Sequence, residues 1–131
     1  RRRTAYNRGQ ILYRVAEMLE ARREQFVDEL TLQGSSKRQS RKEVDAAVDR
    51  LIYYAGWADK FQQIFSSVNP VAMPYFNYTV PESMGVVSAI CFDSSSLLEL
   101  VSVMAPVIIG GNTCVLLSSK SKPLSTMDGK S

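Results

Sequence analysis

The stretch Gly85-Val86-Val87-Ser88-Ala89-Ile90-Cys91-Phe92, with the segment running on from it to Leu117, decides the fold of this 131-residue chain. It is a short run of apolar and small residues after a glycine. That pattern reads as a strand buried on both faces, as in a parallel sheet. Asp93-Ser94-Ser95-Ser96 comes next, a polar loop rich in helix N-cap residues. Leu97 to Ile109 then reads as a buried helix, and Gly110-Gly111-Asn112 stops it. Thr113-Cys114-Val115-Leu116-Leu117 is a second apolar run of strand length. Strand, helix, strand predicts a βαβ crossover, expected to be right-handed, at the start of an α/β domain.

Upstream, Val71 to Pro81 contains Pro74 and Pro81, which rule out helix. Tyr75, Phe76, Tyr78, Thr79 and Val80 favour an extended strand there. Before Asn69-Pro70 the pattern becomes helical. Val44, Val48, Leu51, Ala55 and Ala58 share one stripe, which Phe61 and Phe65 extend. Ser40 with Glu43 matches a capping box, so this helix is predicted to start near Ser40 and to end before Asn69-Pro70. The first segment carries Leu12, Val15, Leu19, Phe26 and Leu30 at helical spacing, with Arg14, Glu17, Arg23 and Glu24 between them. It reads as one amphipathic helix ended by Gly34. Ser118 to Ser131 is polar and is expected to be a loose tail.

Composition narrows the function classes. Hydrophobic residues make up 45% and charged residues 22%, ordinary for a globular protein. Arg1, Arg2 and Arg3 account for the whole net charge of +3, so the basic balance is an end effect rather than a basic face. This argues against a nucleic-acid module, which spreads Lys and Arg over a surface. A membrane or nucleic-acid role through the three arginines is opposed by Glu17, Glu20, Glu24, Asp28 and Glu29 on the same segment. The most apolar stretch is shorter than the roughly 20 residues a bilayer span needs. Two cysteines, Cys91 and Cys114, make no disulfide framework, and free thiols point to a reducing, cytoplasmic setting. The charged start is unlike a signal peptide, and the missing initiator Met suggests a processed product or a cut piece. No His is present, and no residues have metal-ligand spacing.

Several stretches together resemble the aldehyde dehydrogenase superfamily. They are Ile11-Leu12-Tyr13-Arg14-Val15-Ala16-Glu17, Tyr53-Tyr54-Ala55-Gly56-Trp57-Ala58-Asp59-Lys60, Tyr78 to Val87, Ala105-Pro106, Gly110-Gly111-Asn112-Thr113 and Pro123-Leu124. Each is weak alone; their order and spacing are specific. The resemblance runs from about Arg8 to Ser125 and covers only the front of the family's longer polypeptide. It implies an incomplete α/β fold. Residues 1–69 would form the amino-terminal helices and 70–84 a bridging β segment. Residues 85–125 would form the first βαβ of a Rossmann-like NAD(P)-binding domain, with 126–131 as a tail.

The resemblance also implies chemistry. The family oxidises aldehydes through a Cys thiolate, a carboxylate that helps activate water, hydrogen-bond donors for the oxyanion, and NAD or NADP as hydride acceptor. Its catalytic Cys and Glu lie downstream of the matched region, so this chain alone is expected to be inactive. Cys91 and Cys114 do not occupy the nucleophile position and read as packing residues. Alignment through Gly85 and Leu97 puts Ser94 where the family has its oxyanion Asn, with Asp93 beside it. A hydroxyl is shorter than a carboxamide, and a carboxylate opposes an oxyanion; the plainer reading is that residues 93–96 cap the next helix. After the second strand, Leu117, Ser119 and Lys120 fall within the family's ribose-contact stretch. Leu117 cannot hydrogen-bond a ribose, and Lys120 replaces an acid with a base. Cofactor binding by this chain alone is therefore not expected.

The altered site fits a divergent, pseudoenzyme-like member, such as the family-16-like group. Homo- or hetero-oligomers with aldehyde dehydrogenase-like subunits are the implied partners. The alternative is a non-catalytic interaction or oligomerisation module, in which the Tyr75 to Val80 strand adds to another sheet.

Overall fold

A computed structural model describes residues 4–91 and 97–117. Helix α1 spans Ala5–Ala21 and α2 spans Arg23–Leu32. Thr4 starts α1 by accepting a hydrogen bond from the Asn7 amide at 3.3 Å. Two helices therefore replace the single one expected, with a break at Arg22 (φ −100°, ψ 19°). The break is slight: the Arg22 amide still donates to the Met18 carbonyl at 3.1 Å and the Phe26 amide to the Arg22 carbonyl at 3.2 Å, and Leu19 and Val27 on either side are both buried. Gly34 ends the pair at φ 101°, a conformation that only glycine adopts freely.

Helix α3 spans Lys37–Trp57. Its N-cap is Ser36, not Ser40. The Ser36 hydroxyl accepts from the Gln39 amide, while the Gln39 side chain accepts from the Ser36 amide, both at 3.3 Å. Both serines satisfy the local pattern, but Ser40 lies on the buried stripe with Val44, Ala47, Leu51 and Ala55. Its hydroxyl is 3.2 Å from that of Thr31, which donates to the Val27 carbonyl at 2.7 Å. The helix also stops earlier than expected. Residues 58–60 turn, a short helix α4 covers Phe61–Phe65, and the chain is extended by Ser67. The extended backbone is needed because strand β1 (Ser67–Asn69) pairs antiparallel with β2 (Asn77–Thr79). Asn69 Nδ2 bridges the two by donating to Asn77 Oδ1 at 2.7 Å and Thr79 Oγ1 at 3.1 Å. The predicted strand character of 75–80 thus narrows to three paired residues.

Strand β3 (Val86–Ile90), helix α5 (Leu97–Ile109) and strand β4 (Thr113–Leu117) form the predicted unit with the helix and second-strand bounds as read. The strands are parallel, pairing Val86 with Thr113 through Ile90 with Leu117. Burial on both faces is not observed. Val86, Ile90, Val115 and Leu117 are 69, 74, 49 and 56% exposed, and only alternate residues turn inwards. A helix covers one face of the sheet, leaving the other apolar but open.

The core is helical. Leu12, Val27, Val44 and Leu51 are fully buried, and α5 adds Leu97, Val101, Ala105 and Ile109 to the same cluster. Helix α3 packs against both α1 and α5. Where α1 crosses α3, Gly9 permits close approach: a Cβ there would sit 3.1 Å from Ala58 Cβ and 3.2 Å from the Ala55 carbonyl oxygen.

Candidate functional site

Two ends of the β3–α5–β4 unit carry its polar chemistry. At the amino ends of the strands, Asn112 closes the turn after α5. Its Oδ1 accepts from the amides of Met84 at 2.7 Å and Gly85 at 3.0 Å. The Thr113 amide donates to the Gly85 carbonyl at 2.8 Å. Arg8, from α1, donates through Nε to the Ile109 carbonyl at 2.8 Å. A cation at a helix carboxyl end is favoured by the helix dipole. Gly111 has φ 83°, and a Cβ there would lie 3.4 Å from Arg8 Nη1 and from Ser83 Cβ. These contacts account physically for the Gly110-Gly111-Asn112-Thr113 motif: its residues fasten the βαβ turn to α1 and to the segment entering β3. They also line a cleft of about 510 Å³ with Gln62 and Glu82.

The carboxyl ends of the strands are where an open α/β sheet binds ligands. Leu117 is placed there, at the end of β4 beside Ile90, and its carbonyl accepts from the Cys91 amide at 3.0 Å. Its exposed side chain has no group for a ribose hydroxyl, so Leu117 offers a nucleotide no side-chain hydrogen bond. Ser94, Ser119 and Lys120, the other sequence-derived candidates, lie outside the described residues.

Sequence reasoning missed Glu43 here. Instead of capping its own helix, Glu43 reaches from α3 to α5, where Oε1 accepts from the Leu98 amide at 3.4 Å. The next turn of α5 is tied down as well. Ser102 Oγ donates to the Leu98 carbonyl at 2.6 Å and accepts from Arg50 Nη1 at 3.2 Å. A carboxylate at the positive end of a helix is electrostatically favourable. The contact joins residues 55 apart in the chain, so no local pattern announces it.

Among the described residues, nothing lowers the pKa of the Cys114 thiol. Cys91 is buried and Cys114 half-buried, and both are free. Burial pushes the Cys114 thiol up, and the nearby Cys91 adds to this, so it stays protonated at neutral pH. Among the described residues, no group of three or more His, Cys, Asp or Glu could hold a metal ion. No helix among them is long and apolar enough to cross a membrane.

The class defined so far is a mixed α/β protein: a helical layer, a small antiparallel hairpin and one parallel βαβ unit. Comparison with known proteins makes it specific. The pattern of the aldehyde dehydrogenase family matches residues 1–128. Mouse (Mus musculus) retinal dehydrogenase 2 is 33% identical over 129 residues, covering 97% of this chain and 24% of the mouse protein. The crystal structure of a putative aldehyde dehydrogenase from Burkholderia cenocepacia superposes with a TM-score of 0.86 at 35% identity, covering 95% of this chain and 25% of that one. PnpE from Pseudomonas sp. WBC-3, in complex with nicotinamide adenine dinucleotide, superposes with a TM-score of 0.87 at 31% identity, covering 95% and 25%. The chain belongs to the aldehyde dehydrogenase family and corresponds to its amino-terminal portion. It spans about a quarter of the length of these relatives.

Proposed function

We propose that this chain is the front portion of an NAD(P)-dependent oxidoreductase that converts aldehydes to carboxylic acids, and that it is inactive alone. The reading rests on the family membership together with one observation: the βαβ unit stands with one sheet face open. A parallel sheet needs both faces covered. Residues 1–69 serve as the helical platform, 70–84 as the bridging segment and 85–125 as the first part of the cofactor domain. In the complete protein NAD or NADP supplies the hydride acceptor, and Leu117, with Ser119 and Lys120 following it in the sequence, corresponds to the family's adenosine-contact stretch. Aligned with the family, Ser94 falls at the sequence position of its oxyanion Asn, next to Asp93. A hydroxyl reaches less far than a carboxamide, and an acidic neighbour in the sequence opposes a developing oxyanion. This supports a site weakened for acyl chemistry, as in a divergent, family-16-like pseudoenzyme. Two free thiols support a cytoplasmic setting.

Titration of the purified chain with NAD, NADH, NADP and NADPH up to millimolar concentration, followed by calorimetry, tests the reading. Absence of heat and of any thermal shift is the expected result. Saturable binding that weakens in Lys120→Ala would show that a cofactor half-site operates without the rest of the fold, and the reasoning from Leu117 would fail.

A second reading is favoured by the hairpin. Val68, Tyr75, Phe76 and Tyr78 are all exposed, beside an open strand edge. Here the chain is a non-catalytic module that joins aldehyde dehydrogenase-like subunits in homo- or hetero-oligomers. Co-purification with a full-length homologue, lost on Tyr78→Lys, is its expected signature. Monomeric behaviour in sedimentation, alone and with the homologue, would count against it.

A further inference from the structure

We draw no further inference here: the strongest candidate, the apolar groove of about 330 Å³ between the last turns of α3 and α5 and the short helix α4, lined by Tyr53, Tyr54, Trp57, Phe61, Phe65 and Ile109, is an unpartnered face, and nothing in the structure shows what covers it.

Discussion

Gly9→Ala sets two effects against each other within one methyl group. Replacing a glycine in a helix interior by alanine stabilises by about 1 kcal/mol through backbone propensity. At Gly9, however, the new Cβ lies 3.1 Å from Ala58 Cβ and 3.2 Å from the Ala55 carbonyl oxygen, both closer than ordinary van der Waals contact. Neither neighbour is the free end of a flexible side chain. The carbonyl belongs to α3, and Ala58 is 3% exposed, so relief requires α1 and α3 to separate along their whole crossing. Overpacking of this kind costs roughly 1–3 kcal/mol. The expected net effect is a loss of about 1 kcal/mol. Gly56→Ala is the matched control, because a Cβ there meets nothing within 4 Å. It lies next to the last residue of α3, so it gains propensity, by a few tenths to about 1 kcal/mol, with no clash. Urea titrations followed by circular dichroism should move the two midpoints in opposite directions, down by about half a molar for Gly9→Ala and up by as much as about half a molar for Gly56→Ala, if the slope is near 2 kcal/mol/M. If both substitutions raise the midpoint, the α1–α3 approach is not tight and the packing account of Gly9 is wrong.

Other consequences are more local. Asn112→Ala leaves the Met84 and Gly85 amides without their acceptor; both residues are exposed, so water partly replaces it and the loss should be about 1 kcal/mol in the same titration, less for Asn112→Asp. Asp45 is held below the usual carboxylate range by its hydrogen bonds from Arg23, with the charges of Arg23 and Arg41 adding to the effect. A lowered carboxylate pKa contributes stability above its unfolded value of about 3.9, lost as pH falls through the folded value. The melting-temperature gap between the wild type and Asp45→Asn should therefore be present at pH 7, close in more acidic solution and shrink with salt; a gap that widens on acidification contradicts the assignment. Cys114, with its thiol pushed up by burial, should react slowly with iodoacetamide at pH 8 in the native chain and readily in urea. Equal rates in the two conditions would mean the β4 thiol is open to solvent. Glu43→Gln retains an acceptor for the Leu98 amide and should disturb α5 less than Glu43→Ala, as read by amide exchange at Leu98.

Legibility in the sequence follows the range of the interactions. The bounds of α5 and β4 can be read because an apolar run between glycines and a polar loop has one consistent backbone solution. The place of α3's first turn cannot. Ser36 with Gln39 and Ser40 with Glu43 are equally good local caps, and the choice falls to the core, where Ser40 is fully buried. Of the candidate site, Leu117 lands at the strand end as its position in the apolar run implied. Glu43 could not be found, because its role is a contact with Leu98 made by folding α3 against α5.

The sequence by itself determined that the chain builds a helical layer followed by a parallel βαβ unit, since hydrophobic period and chain breakers act over a few residues. It also carried the family resemblance. Tertiary structure alone decided which sheet face is covered, which serine caps a helix and which carboxylate sits at the amino end of α5. Each of those outcomes depends on what a distant segment places opposite, and the free energy of burial or pairing exists only once that neighbour has arrived.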